Sequence, residues 1–459
     1  MNTTLTTHQQ EVFNDITSDL TKKMKHFSMI DDAKKHLRSL TGAAGTGKSF
    51  LTVQIVSHMV DFISNSPYPY DNIWVTAPTH KAVGILRDTL NQNKVKVHCA
   101  TLHSFLKLKL KRDFNTGAEK FVADKFDPNQ NTASLLVVDE SSMIAPELYD
   151  LIVEAVETRR VQEVLFIGDP FQLLSISNGD NKVYQLEQQH QLTEIVRQKK
   201  DSDIIALSQK LKSRIQEQNF IKLDEIFADI VNSKDIEIFS DRDAFVADFY
   251  KNKNWHTEDK IFTSFTNETV ESLNEIIRKK YWEERDVENP DFLMRDDIVR
   301  FKSSLNDDGI ESSKTNGVFR NDEEVKIENA NPMVDTKLEI KYWKCSVADR
   351  KSNIFYVLDP NSLITFNRAL QNSAIDARNS KFPIEKRIKW KKYFGLKNSF
   401  ANIQYSFAAT IHKLQGSTYD SAYIDLNSLM YNTQIDDDFK YRLVYVAITR
   451  ARHNIKIFY

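Results

Sequence analysis

The first third of the chain alternates short apolar runs with amphipathic stretches. Residues 36–41 read as a short strand. Residues 49–63 read as a helix with Leu51, Ile55, Val56, Met59 and Phe62 on one side. Residues 72–76 are strand-like, and a helix is predicted over 79–90. Leu135, Leu136, Val137 and Val138 are four apolar residues in a row, the pattern of a buried strand; 146–157 read as helix and 164–167 as strand. This alternation predicts a parallel sheet covered on both faces.

Over residues 107–131 the pattern changes. Charges alternate with apolar residues, and Asn115, Thr116 and Gly117 supply a turn, which predicts a small hairpin inserted into the first α/β domain. A second α/β region opens near Thr193, with strand-like 236–239 and 261–265 and a helix over 268–282. A polar, charge-rich stretch with short strand-like pieces, 287–397, interrupts it. The region resumes at 403–409 and 422–426, followed by a helix around 441–449 and a last strand at 454–459.

Composition adds limits. The 459 residues, 41% apolar and 27% charged, are ordinary for a soluble chain and give room for about three domains at roughly 150 residues each. The net charge of -2 gives no bulk sign of a nucleic-acid partner, so such binding would need local basic surface. Two basic runs offer it. One is Lys107, Lys109, Lys111 and Arg112; the other is Lys386, Arg387, Lys389, Lys391 and Lys392, interleaved with Trp390, Tyr393 and Phe394. Basic residues with aromatics suit DNA; a solvated charged face is the plain alternative. The two cysteines, Cys99 and Cys345, stand in no metal-ligand spacing, which argues against a disulfide framework or zinc site and fits a reducing compartment. No apolar stretch is long enough to span a membrane and the first ten residues hold no apolar signal core, so the expected location is cytoplasmic.

One motif carries specific chemistry. Gly42, Ala43, Ala44, Gly45, Thr46, Gly47, Lys48 and Ser49 fit G-x-x-x-x-G-K-[ST] between a predicted strand and a predicted helix, the context a phosphate loop requires. Its backbone N–H groups are expected to face phosphate oxygens, with Lys48 at the β/γ-phosphates and Ser49 on Mg²⁺. The strand 135–138 ends in Asp139 and Glu140, where Asp139 would hold Mg²⁺ through water and Glu140 would polarise the attacking water. Together the two motifs imply hydrolysis of ATP or GTP, and they leave open what it drives.

A longer series narrows the choice. Residues 139–143 and 168–173, the latter holding Gln172, resemble motifs II and III of superfamily-1 helicases. Residues 410–418 resemble motif V and 445–452 motif VI; Leu5 to Gln9 resemble a Q motif; 77–80 and 101–104 resemble motifs Ia and Ib; and 192–197 resemble motif IV. The order is that of the superfamily, in its 5′→3′ branch with RecD-like and Dda-like members. Thr266 and Asn267, followed by 273–280, are especially similar to the Dda-like ones.

The resemblance implies two RecA-like parallel-sheet domains with ATP between them. The first would span 1–106 and 132–192, with a pin at 107–131. The second would span 193–286 and 398–459, with an SH3-like β insertion at 287–397. It implies that Gln9 reads adenine, that Gln415 and Gly416 line the nucleotide site, and that Arg197 and Arg450 reach the γ-phosphate from the second domain. For either arginine the plain alternative is a surface salt bridge. Gln172 would link the γ-phosphate to the DNA surface. The implied DNA path holds Pro78, Thr79, His80, Thr101, His103, Thr266, Asn267, Thr410, His412 and Lys413, with Trp390 from the second basic run. Helix capping is the alternative for each threonine and asparagine. Phe121 matches the aromatic that a pin presents to the fork, against simple packing. The expected protein is a monomeric ATP- and Mg²⁺-dependent motor on single-stranded DNA and DNA forks, working beside replication or single-strand-binding proteins. An RNA helicase and a nucleotide-gated scaffold that binds without unwinding are the competing classes.

Overall fold

The computed structural model describes residues 4–25, 32–65, 72–123, 130–174, 181–196, 202–228, 230, 233–305, 319–348 and 354–459. The chain divides into two compact units. One holds residues 1–108, 124–266 and 409–459; the other holds 109–123 and 267–408.

The first unit contains two parallel sheets. In the first sheet the strands lie in the order His98–Thr101, Ile73–Ala77, Ala133–Val138, Val161–Gly168, Leu37–Gly42, Gln188–Leu192, and each adjacent pair is parallel. Ala133–Val138, Val161–Gly168 and Leu37–Gly42 are buried at every position. The two-residue period of a strand divides their side chains between two cores. Leu40, Leu135, Val137, Leu165 and Ile167 pack with residues of the helices Thr7–Lys25, Lys48–Ser64 and His80–Gln92, while Leu37, Leu136, Val138, Val164 and Phe166 pack with Tyr149, Ile152 and Val156 of Pro146–Glu157. Covering helices on both faces are what the unbroken apolar run at 135–138 called for.

In the second sheet the order is Ala408–Thr410, Lys260–Ser264, Tyr419–Asp425, Ala451–Phe458, Ile236–Phe239. Pairings across the last four strands are parallel. Helices Asp203–Glu217 and Asp437–Ile448 contribute to the core on this sheet through Leu207, Leu211, Tyr441 and Val444.

The second unit is built on a five-stranded antiparallel sheet, ordered Ile354–Leu358, Ile340–Val347, Glu324–Asp335, Ile298–Phe301, Ile403–Tyr405. Phe301, Phe319 and Phe355 form its centre, with ring centroids 4.4–5.1 Å apart. Two differences from the sequence expectation stand out. Residues 403–405 close this sheet rather than resuming the second parallel one. The charge-rich stretch also contains two helices, Leu363–Asn379 and Pro383–Lys397, where only strand-like pieces were expected. The helix Asn267–Glu283 also falls in this unit, and Arg278 on it makes a two-pronged ion pair with Asp297 at 2.8 Å on each arm.

The hairpin Leu108–Arg112 and Glu119–Ala123 lies almost wholly in the second unit. Its turn is set by Asp113, whose carboxylate accepts from Asn115 N–H and the Thr116 hydroxyl, and by Gly117 at φ +77°. It rests on the helix Pro383–Lys397. Phe114 meets Phe394 edge-on at 5.9 Å, the Arg112 guanidinium lies over the Phe394 ring, and Lys397 pairs with Glu119 at 2.5 Å.

Candidate nucleotide site and nucleic-acid path

Three neighbouring strands of the first sheet end at one edge, and each delivers part of the site. Leu37–Gly42 leads into the phosphate loop, Ala133–Val138 into Asp139 and Glu140, and Val161–Gly168 into Asp169. The carboxyl edge of a parallel sheet is where such loops converge.

The loop turns into the helix Lys48–Ser64 at Gly47, which has φ +83°. The backbone there requires glycine, and a Cβ would lie 2.5 Å from Gln9 Nε2, so the Gln9 amide packs closely on it. Gln9 Nε2 donates to the Thr46 carbonyl at 3.1 Å, and its Oε1 accepts from Thr6 N–H. Thr46 in turn donates to the Ala43 carbonyl. Lys48 Nζ donates to the carbonyls of Gly42 at 2.6 Å and Ala43 at 2.9 Å, which hold the ammonium at the loop. Gly45 adopts φ +83°, and Ser49 is exposed in the first turn of the helix.

Asp139 and Glu140 occupy the crease beside this loop. Burial, then the neighbouring Glu140 charge, lifts the Asp139 carboxyl to about 7. Burial also raises Glu140, against the pull of Arg450 and Lys48. Glu140 has φ 51° and ψ 44°, a left-handed conformation uncommon for a residue with a side chain and typical of functional positions held under strain. Two enclosed carboxylates that repel each other, with the Lys48 charge acting on both, form a site whose repulsion a divalent cation would relieve. Ser49 would hold such an ion directly and Asp139 through water, with phosphate oxygens completing the shell.

The second sheet contributes from across the site. A Cβ on Gly416 would lie 3.4 Å from Glu140 Oε1, so the turn after Gln415 packs on that carboxylate. Gln415 Nε2 donates to the Leu173 carbonyl at 3.4 Å. Arg450 is 4% exposed, and its guanidinium donates to the carbonyls of Val446, Leu414 and Ser417 and to the Thr449 hydroxyl. It is therefore not a surface salt bridge; burial lowers its pKa, and Glu140 and Asp169 are the carboxylates whose charge acts on it. Gln172 is buried and directs Nε2 toward Asp169 at 3.5 Å. Arg197 lies outside the described residues.

Two side chains on the helix Asp437–Ile448 escaped the sequence reading. Arg442 donates to the carbonyls of Pro170 and Gln172 at 2.6 and 3.1 Å. The Tyr445 hydroxyl donates to Asp169 at 2.9 Å and accepts from Ala44 N–H at 3.2 Å. Tyr445 opens the stretch singled out as motif VI, so the only available signal was its place there.

The residues expected on the nucleic-acid path fall at the ends of elements. Pro78, Thr79 and His80 follow the strand Ile73–Ala77, and the Thr79 hydroxyl accepts from Ala82 N–H as a helix cap. Thr101 likewise caps the next helix through Ser104 N–H. His103 and His412 have pKa values lowered by burial, which favours the neutral rings at pH 7. Thr410 is buried, and Lys413 follows it in the short helix Ile411–Leu414. Thr266 is half-buried, Asn267 is exposed, and Phe121 on the hairpin is 62% exposed. Trp390 corrects the expectation. Its ring is 2% exposed, buried with Ala377 and Phe394, and so offers no face for a base to stack on.

An ATPase site at the edge of one RecA-like sheet, faced by a second parallel sheet carrying a buried arginine, defines the class: the chain resembles superfamily-1 helicases, and its enzyme class is that of a helicase ATPase. Comparisons with known proteins agree. Residues 28–225 match the family model of an AAA domain, and 405–456 that of a UvrD-like helicase C-terminal domain. The chain is 25% identical to the ATP-dependent DNA helicase dda of Enterobacteria phage T4, over 95% of this chain and 98% of that one. Among solved structures it is similar in fold to a Pif1 helicase described unwinding forked duplex DNA (TM-score 0.51, 17% identity, 99% of this chain and 92% of that one). It is also similar to Pif1 from Bacteroides in complex with ADP-AlF3 and single-stranded DNA (TM-score 0.50, 16% identity, with the same coverage). Among the described residues no helix is long and apolar enough to cross a membrane.

Proposed function

We propose that this chain is an ATP- and Mg²⁺-dependent DNA helicase that translocates 5′→3′ on single-stranded DNA and opens the duplex at a fork. The observation that carries this is the convergence on Glu140. The carboxylate that would polarise water feels the charges of Arg450, just past the helix Asp437–Ile448, and of Lys48 on the phosphate loop, and the turn at Gly416 packs on it. Hydrolysis at such a site is sensitive to the separation of the two sheets, which is how a two-lobed ATPase couples chemistry to stepping. Arg450, and Arg197 if it reaches the same phosphate, would stabilise transition-state charge. Gln9, packed against the phosphate loop, would read adenine, which favours ATP.

The path over Pro78, Thr79, His80, Thr101, His103, Thr266, Asn267, Thr410, His412 and Lys413 suits phosphate contacts made and released at each step. The hairpin is proposed as the pin, with Phe121 at the junction, and the five-stranded sheet as the SH3-like insertion. DNA is favoured over RNA by similarity over 95% of the chain to a DNA helicase.

Strand displacement on duplexes with a 5′ or a 3′ single-stranded tail tests the proposal. Unwinding of the 5′-tailed substrate alone, with ATPase stimulated more by oligo-dT than by oligo-U, is the expected result. Unwinding of only the 3′-tailed substrate would overturn the polarity, and binding without displacement of either would support the scaffold class.

A further inference from the structure

Tyr445 joins three elements through one oxygen. Its ring is 1% exposed and meets Phe171 edge-on at 6.4 Å. Its hydroxyl donates to Asp169 Oδ2 at 2.9 Å, and burial and that carboxylate hold the phenol well above its ordinary pKa. With the single proton committed to Asp169, a lone pair faces the backbone N–H of Ala44 at 3.2 Å. That amide belongs to the phosphate loop, whose N–H groups serve phosphate oxygens.

A phosphate oxygen is a charged acceptor, and hydrogen bonds to charged acceptors are roughly twice as strong as neutral ones. It would win the Ala44 amide from a phenol. The consequence reaches beyond the loop, because Tyr445 lies on the helix Asp437–Ile448, which leads through Thr449 to Arg450. Arg442 on the same helix stays tied to the Pro170 and Gln172 carbonyls. Losing the Ala44 bond therefore frees the helix from the phosphate loop without detaching it from the segment after Asp169.

We propose that Tyr445 is a positioning residue that acts as a latch, its hydroxyl and a nucleotide phosphate competing for the Ala44 amide, so that nucleotide arrival releases the arginine-bearing helix from the phosphate loop. The proposal rests on the nucleotide-site reading above.

Tyr445→Phe removes one oxygen and keeps the ring against Phe171. In the full chain, titration with fluorescent ADP should show affinity about three- to tenfold tighter than wild type, the scale of one neutral hydrogen bond no longer in competition. ATPase without DNA should rise while the oligo-dT-stimulated rate falls, so the fold stimulation drops. Unchanged or weaker ADP binding by a folded variant overturns the latch and leaves a structural strut, which would lower the thermal midpoint and turnover without tightening ADP. Failure of the variant to fold also makes the hydroxyl a strut. Wild-type protein that binds no ADP would instead sink the nucleotide-site reading, a separable outcome.

Discussion

Gly117 and Trp390 are in such close contact that a Cβ on the glycine would lie 2.3 Å from the indole Cη2. The glycine also has φ +77°. Nothing larger fits, either by backbone preference or by space, so the tip of the hairpin is seated on the helix Pro383–Lys397 by a ring with no room to yield. Gly117→Val should unseat the hairpin while leaving the first unit folded. The expected outcome is at least a tenfold loss of unwinding with single-strand-stimulated ATPase within about twofold of wild type, since misplacing a working group by an ångström can cost a hundredfold. Strand displacement and ATPase measured on one preparation check it.

Lys48→Ala should abolish hydrolysis. Its ammonium is held at the phosphate loop by the Gly42 and Ala43 carbonyls, so the charge is fixed at the loop itself. Binding of single-stranded DNA without nucleotide should persist, because the proposed path lies on other residues. Near-native turnover in this variant would mean that the loop is not the phosphate site.

Arg450→Ala should cut turnover far more than nucleotide affinity. Arginine fingers are worth roughly 10³-fold or more in rate. The side chain also ties together the Leu414, Ser417 and Val446 carbonyls, so thermal melting must accompany kinetics. Arg450→Lys keeps the charge but cannot span those acceptors, and it should be nearly as slow as the alanine variant. A variant that loses ATP binding yet keeps its turnover number would make Arg450 a ground-state or structural residue.

The parts of this architecture that were legible in the sequence are those with local patterns. The strand at 135–138 is four apolar residues in a row because both of its faces are buried, and the phosphate loop shows itself because backbone curvature demands glycine at fixed spacing. Tyr445 and Arg442 were illegible because their partners lie hundreds of positions away in the chain, Ala44 and Asp169 for one and Pro170 for the other. The helices Leu363–Asn379 and Pro383–Lys397 were hidden for a different reason. Leu363, Ile364, Ile375, Ile384 and Ile388 face outward, so apolar residues occur on both sides of each helix and no single stripe marks the period. Trp390 misled because a tryptophan among lysines looks the same whether it faces solvent or lies under its own helix.

Asp139 allows a test by pH. Burial and the Glu140 charge raise its carboxyl to about 7 in the folded chain, far above its ordinary value. The proton it carries therefore favours the folded state below that range, and this contribution is lost as pH rises through about 7. Asp139→Asn is neutral throughout, so it should melt above wild type at pH 8, by a few degrees, and the gap should shrink at pH 5.5. Hydrolysis should be lost at both values, because the asparagine cannot hold the metal-bound water. Thermal melts at the two pH values check the first half. A gap that is the same at both would mean that the carboxyl titrates in its ordinary range.

Phe121 is the most demanding case. Its ring is 62% exposed on the second strand of the hairpin, while Phe114 on the same hairpin is turned against Phe394 and Phe126 lies outside the described residues. Opening a base pair uncovers two π-faces, and a ring at the junction replaces part of the lost stacking, worth roughly 1–3 kcal/mol per base. The phosphate grip lies on other residues, so translocation does not depend on it. Phe121→Ala should therefore slow unwinding by about tenfold, the kinetic equivalent of about 1.4 kcal/mol. Single-strand-stimulated ATPase and translocation should stay near the wild-type rate, and Phe121→Trp should restore unwinding. All three rates are to be measured on the same preparation, on a forked duplex with a 5′ tail. Unchanged unwinding in the alanine variant would make the ring a bystander. A parallel fall in all three rates would make it part of the fold, and the element that splits the duplex would then have to be sought away from this strand.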